Sequence, residues 1–223
     1  MGVVVAGAAA VTVAPIDIWN FLVDNRPELW SETGAHARLV ALALLIAVPP
    51  AVGLGVVAAR RPRFAAVAVG AAGVVFTIPS LALFALMVGP LGLGRAPAVA
   101  ALALYSVLPV LRNTVVGLRE VPADAVEAAR GMGMTEAQTL WRVRLPLALP
   151  VVVGGVRVAA VTAVGIATIG ALVAAGGLGE SIFAGLRAGD DTQVLATTAV
   201  IAALALMVDG ALTVVERRLR RHR

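Results

Sequence analysis

The chain has 223 residues, of which 60% are hydrophobic and 14% charged, with no cysteine and a formal net charge of +5. Soluble domains devote roughly a quarter of their residues to charge, so this composition marks an integral membrane protein, and the lack of polar–apolar alternation excludes a membrane β-barrel. Without cysteine there are no disulfides, no thiol catalysis and no cysteine-held metal; the arginines lie in short segments between apolar stretches, which argues against a nucleic-acid partner.

Residues 2–14 (GVVVAGAAAVTVA) are apolar but shorter than the ~20 residues a spanning helix needs. No positive residue precedes them, as a signal peptide would require, so they read as a partial first helix. Residues 16–37 are amphipathic, with Trp19, Phe21, Leu22, Leu29 and Trp30 set among Asp24, Asn25, Arg26, Glu28 and Glu32. Tryptophans of this kind sit at the headgroup level, which predicts an interfacial helix. The expected division is an N-terminal segment at 1–38 and a membrane domain at 39–223.

Five full spans are predicted in that domain. The first, 39–59, carries Pro49 and Pro50, where lost backbone donors predict a kink. The second, 64–88, is interrupted near Thr77, Pro79 and Ser80. A turn-rich connection, GPLGLGRAP, leads to the third span at 98–118, which holds Tyr105, Ser106 and Pro109. Residues 120–146 are a polar insert. The fourth span, 147–175, is rich in glycine and long enough to cross with a tilt or a break. A polar segment follows at 176–191, with a short helix at 181–186. The last span, 194–215, ends in ERRLRRHR.

Arginine placement sets the orientation, because basic loops stay on the cytoplasmic side. Assigning alternate sides puts 13 arginines on one side and four, at positions 26, 38, 95 and 187, on the other, with Arg157 inside a span. The 13 belong to the tip after the first span, the central insert with its approach, and the C-terminal tail. All three are therefore expected in the cytoplasm.

Within the insert, residues 123–139 favour helix, with Pro122 harmless at the first turn. Gly131 and Gly133, each costing about 1 kcal/mol in a helix interior, mark the join between two short helices. Thr135 and Gln138 have the spacing of a capping box for the second helix. The result is a helix, a glycine turn and a helix, closed by Pro146 where the chain returns to the membrane. Met132 and Met134 among the alanines suit an adaptable partner-facing surface.

The run Glu127-Ala128-Ala129, Gly133 six residues after the glutamate, and Val143-Arg144-Leu145-Pro146 resemble the EAA loop of ABC importer permeases, with valine in place of isoleucine in the closing Ile-x-Leu-Pro. Thr77-Ile78-Pro79-Ser80, Pro109 to Thr114 and Gly176-Gly177-Leu178-Gly179 extend the similarity to the glycine betaine, choline, carnitine and proline-betaine importers. The likeness covers residues 39–223.

The resemblance implies an all-α type I importer permease fold in the inner membrane and docking of the loop into a groove of a separate ATPase. Glu127, Ala128, Ala129, Gly131, Gly133, Met134, Leu145 and Pro146 would carry the coupling. In this reading Glu127 anchors the loop through hydrogen bonds or an ion pair, Gly133 permits the turn and Pro146 fixes the exit. The expected partners are ABC ATPase subunits, a second permease copy or paralogue, an extracytoplasmic substrate-binding protein and the lipid bilayer. No cofactor is expected in this chain; ATP and magnesium belong to the ATPase.

Gly176, Gly177 and Gly179 lack the Gly-Lys-Ser/Thr ending of a phosphate loop. They serve as a tight bend at the outer side or as a gate near the path, and the two readings are compatible. Arg157 and Asp209 are charges inside spans, roughly 16 and 12 Å of helix from their cytoplasmic anchors, and are expected to form a structural ion pair. Thr77, Pro79, Ser80, Tyr105, Asn113, Thr162 and Thr168 are the expected lining of a translocation path. A quaternary ammonium calls for an aromatic cage, and the spans offer little beyond Tyr105, Phe76 and Phe84, so high affinity is expected in the binding protein.

A self-sufficient secondary transporter or channel, the alternative, would show inverted repeats and several intramembrane acids; the sequence has no internal repeat and one central acid. A membrane enzyme would need clustered histidines or acids. His36 and His222 are isolated, one expected at the interface and one in the tail, so no metal site is expected.

Overall fold

The computed structural model describes residues 13–221, and the partial first helix read at 2–14 lies almost wholly outside them. The described residues are helical: α1 (Pro15–Asp24), α2 (Arg26–Arg60), α3 (Pro62–Thr77), α4 (Ser80–Leu91), α5 (Arg95–Arg119), α6 (Ala123–Gly131), α7 (Glu136–Thr139), a π-helical turn (Leu140–Arg144), α8 (Leu145–Ala167), a 3₁₀ segment (Thr168–Val173), α9 (Gly179–Ala188) and α10 (Asp191–Arg221). Four helical rods are long and apolar enough to cross a bilayer, and α3 with α4 makes a fifth crossing only if this pair, bent by 97°, is one span.

Helix α5 is the centre. It packs along α2 on one side and α8 on the other, with α3, α4 and the 3₁₀ segment around it and α10 outside α8. Between apolar helices in lipid there is no hydrophobic drive to associate, so close van der Waals approach must supply the attraction. On α2 this comes from Ala43, Ala47, Ala51 and Gly55, spaced by four and all buried. A Cβ at Gly55 would lie 2.6 Å from the Thr114 side chain. On α8, Gly155 lies so close to α5 that a Cβ would stand 2.6 Å from Asn113 Cβ and 2.8 Å from the Pro109 carbonyl. Gly117 on α5 meets Ala148 and Val151 in the same manner. The fully buried Leu102, Val110, Leu111 and Leu118 of α5 fill the space between these ridges.

Three expectations change. The segment read as one interfacial helix at 16–37 is divided: α1 (Pro15–Asp24) is a separate helix with no buried residue, and the rest begins α2, which runs unbroken through residues 38 and 39. The sequence there (Ala35 to Val40) has no glycine or proline to stop it, and Leu29, His36, Leu39, Val40 and Ala43 lie on one buried stripe that continues from the amphipathic part into the apolar part. The second span is two helices. Pro79 lacks a donor and forces Ile78 into an extended conformation (φ −64°, ψ 129°), which ends α3. His36, expected at the interface, is fully buried.

The cause of that burial is local. At Thr168 the helix tightens to 3₁₀, and the Thr168 N–H bonds to Ile166, which leaves the Val164 carbonyl free. His36 Nε2 lies 2.9 Å from that carbonyl and donates to it. Replacing His36 with Leu orphans a buried acceptor at a cost of about 1–3 kcal/mol, so detergent melting curves should show a clear loss that His36→Gln partly restores. Gly155→Leu should be worse tolerated than Gly154→Leu, since overpacking costs about 1–3 kcal/mol and Gly154 has only Glu216 near its open side, at 4.0 Å; the same melts compare the two.

Candidate functional site

The polar insert folds as an exposed hairpin. Helix α6 carries Asp124 in its first turn and Arg130 in its last, the arrangement that a helix dipole favours. It ends where Gly133 takes φ +80°, a conformation open to glycine without strain. The Met134 N–H then closes the turn onto Ala129, 3.1 Å away. Thr135 and Gln138 form the expected reciprocal cap: the Gln138 N–H donates to Thr135 Oγ1 (3.3 Å) and the Thr135 N–H to Gln138 Oε1 (2.8 Å). Arg130 spans the turn to Glu136, Nη2 to Oε1, at 2.7 Å. That hydrogen bond and charge hold the exposed Glu136 carboxyl below its usual range.

Among the coupling candidates, Ala129 is buried, Met134 and Leu145 are half-buried, and Glu127, Ala128, Gly131, Gly133 and Pro146 are exposed. Glu127 has no hydrogen bond or ion pair within the described residues; the anchoring pair inside the hairpin is Arg130–Glu136. Pro146 does not close the hairpin with a break. The chain is helical from Glu136 onward, and a π turn at Leu140–Arg144 precedes the proline. A proline ring clashes with the carbonyl four residues back in a regular helix, and the wider turn relieves this.

The path candidates fall into two groups. Thr77, Pro79, Ser80 and Tyr105 meet at the α3–α4 break, where the Tyr105 hydroxyl donates to the Ile78 carbonyl and Thr77 Oγ1 to Val74 (2.7 Å). Phe76 stands edge-to-face with Tyr105, ring centroids 5.7 Å apart. Asn113, Thr162 and Thr168 are elsewhere on α5, α8 and the 3₁₀ segment, and Asn113 spends its amide on its own helix, at Pro109 (2.8 Å).

The glycine turn has a separate reason at each position. Gly176 and Gly177 take φ +84° and +91°. Gly177 also lies against His36, and a Cβ on Gly179 would fall 2.0 Å from the Thr168 carbonyl. The turn is thus locked onto α2 and the 3₁₀ segment. Next to it, Ser181 Oγ donates to Glu32 (2.7 Å) and Gln193 Nε2 to the Ser181 carbonyl (3.0 Å), tying α9 to α2 and α10.

Arg157 Nε lies 2.9 Å from Asp209 Oδ1. Two further partners were not legible in the sequence: Thr213 Oγ1, at 3.0 Å from Arg157 Nη1, and Glu216 Oε2, at 3.3 Å. Glu216 also accepts from Arg220. Reading Glu216 as the start of a basic tail concealed that it repeats the Asp209 face two turns on. Arg157→Asp places three carboxylates together and should lower expression and melting temperature. Adding Asp209→Arg should recover much of the loss; a double variant no better than the single one would argue against a direct pair.

Long apolar helices closed on a central one, interrupted by one exposed polar hairpin, define a membrane-embedded transport subunit. Residues 51–221 match the family described as binding-protein-dependent transport system inner membrane component, and the chain belongs to that family. It is 39% identical over 202 residues to the choline transport system permease protein OpuBB of Bacillus subtilis, covering 91% of this chain and 93% of that one. It is 42% identical over 200 residues to the osmoprotectant import permease protein OsmW of Salmonella typhimurium, covering 87% and 93%. Among solved structures, an inward-facing MetNI methionine ABC transporter chain superposes with a TM-score of 0.72 at 22% identity, over 93% of this chain and 99% of that one. A chain from an amino acid ABC transporter crystallised with histidines gives 0.69 at 21%, over 88% and 96%. At such identities these two establish the shared fold alone.

Proposed function

We propose that the chain forms the membrane path of an ATP-driven importer for quaternary-amine osmolytes: choline, glycine betaine, carnitine or proline betaine. The observation that carries this reading is the hairpin, an exposed two-helix element rigidly braced by Gly133, the Thr135–Gln138 cap and Arg130–Glu136, joined to a helix that runs on into the membrane. A rigid handle continuous with a spanning helix suits transmission of force from a soluble motor. The substrate class is supported by relatives named for choline and for osmoprotectant import.

In this reading the hairpin docks as a helix in a groove of a separate ATPase, and ATP-driven closure of two ATPases rocks two permease copies between inward-open and outward-open states. Glu127, exposed and without a partner among the described residues, is available to bond to the ATPase. Counting the α3–α4 pair as one broken span gives five crossings, and the arginine-rich segments support a cytoplasmic hairpin and C-terminus. An extracytoplasmic binding protein supplies the aromatic cage, and the glycine turn forms part of the outer gate.

The test is reconstitution with the ATPase and the binding protein. Glu127→Ala and Gly133→Val should leave basal ATP hydrolysis in place and remove its stimulation by loaded binding protein. Losing about 1.4 kcal/mol of docking lowers coupled uptake roughly tenfold. Normal uptake in both variants, or uptake by this chain with no ATPase present, would overturn the reading.

A further inference from the structure

Backbone that leaves helical geometry at membrane depth is tolerated only where it is buried in protein or lines a water-filled space. The α3–α4 break is such a place. Phe76 lies 14 residues after Pro62, about 21 Å along α3, and Tyr105 lies 10 residues after Arg95, about 15 Å along α5 from the opposite end. The break is therefore well inside the ~30 Å hydrocarbon layer.

Its backbone groups are only partly satisfied. The Ile78 N–H bonds to Val75, the Thr77 hydroxyl to Val74, and the Ile78 carbonyl accepts from Tyr105. The Phe76 and Thr77 carbonyls have no donor among the described residues. Both sit at the C-terminus of α3, where the helix dipole is negative. Beside them is the Phe76 ring, steadied by its T-shaped contact with Tyr105 and 40% exposed. Of the other aromatics in α3 to α5, Phe84 is fully buried, Tyr105 is nearly so, and Phe64, though exposed, lies 12 residues before Phe76, about 18 Å along α3 from the break.

We infer that Phe76, together with the free carbonyls of Phe76 and Thr77, forms a transient contact for the quaternary ammonium group of the substrate as it crosses the membrane. A quaternary ammonium cannot donate hydrogen bonds, so the two things that attract it are an aromatic quadrupole and carbonyl oxygens at a negative dipole end. This break has both, the ring and the carbonyls belonging to adjacent residues at the end of α3. With one ring and no enclosing cavity the contact is weak, which suits release in a path better than capture. The inference rests on the quaternary-amine reading of the function.

The experiment is uptake of radiolabelled choline by the full complex in proteoliposomes, with binding protein and ATPase present. Phenylalanine analogues carrying one, two and three ring fluorines at position 76 weaken the quadrupole stepwise at nearly constant shape. Turnover should fall along the series, while the binding-protein concentration giving half-maximal rate stays fixed. Phe76→Leu should lose roughly three- to tenfold in turnover, and Phe76→Trp should keep parental rates or exceed them. A flat fluorine series in a complex that does carry choline overturns this inference alone. A parent complex that carries a non-cationic solute and no quaternary ammonium compound overturns the substrate reading, and this contact with it.

Discussion

Everything in this molecule depends on how closely α2 and α8 approach α5. In lipid, apolar side chains gain nothing by leaving their surroundings for each other, so the helices are held by the density of contact. That density exists only because Gly55, Gly117 and Gly155 let Thr114, Ala148 and Asn113 reach the opposing backbone. Large aliphatic residues stand on both sides: Leu39, Leu102 and Leu178 are buried in the core, while Leu45, Val67 and Leu206 are turned outward. Small residues set how closely the backbones approach, and the buried large ones fill the space between the contacts.

Close packing of this kind tolerates few polar groups, and two clusters are answered by specific partners, while Thr139 Oγ1 and Thr197 Oγ1 are buried without one among the described residues. His36 takes the one carbonyl that the change to 3₁₀ geometry sets free, and Gly177 lies against it because a side chain there would collide with His36. Arg157 is answered by Asp209, Thr213 and Glu216 on a single face of α10. These two polar clusters sit in different parts of α8, one near its C-terminal end at Val164 and one near its middle at Arg157. Between them they fix α8 against α2 and α10 without polar contact to α5, so the glycine-lined contact with α5 is left to sterics. Movement of α8 as a unit would carry the hairpin with it, since α7 and the π turn are continuous with it.

Much of this was legible in the sequence because it is local. Apolar run lengths placed the long helices, and the Thr135–Gln138 spacing and the glycines drew the hairpin correctly to within a residue or two. The Arg157–Asp209 pairing followed from the cost of charge in a membrane. What escaped was set by contacts distant in sequence. Periodicity marked 16–37 as amphipathic, yet its polar members, Glu32 and His36, are directed at Ser181 and Val164, residues far along the chain. An amphipathic pattern cannot tell a headgroup layer from a polar neighbour. Glu216 was missed because its place in an arginine-rich tail hid its register with Asp209.

The α3–α4 break shows the same limit from the other direction. Proline spacing announced the interruption that Pro79 makes, but it did not show that the hydroxyl of Tyr105, 27 residues beyond Ile78, donates to the Ile78 carbonyl at that corner. A single bond of that kind stabilises an extended residue where the helix would otherwise re-form after Pro79. The extended Ile78 also leaves the Phe76 and Thr77 carbonyls without donors among the described residues, because α4 starts anew at Ser80 instead of continuing α3. A bend made this way is a consequence of α5 side-chain chemistry as much as of α3 sequence. Any motion that separates α3 from α5 must break the Tyr105 bond and alter the corner, so the geometry of the break is tied to the same helix packing that holds the subunit together.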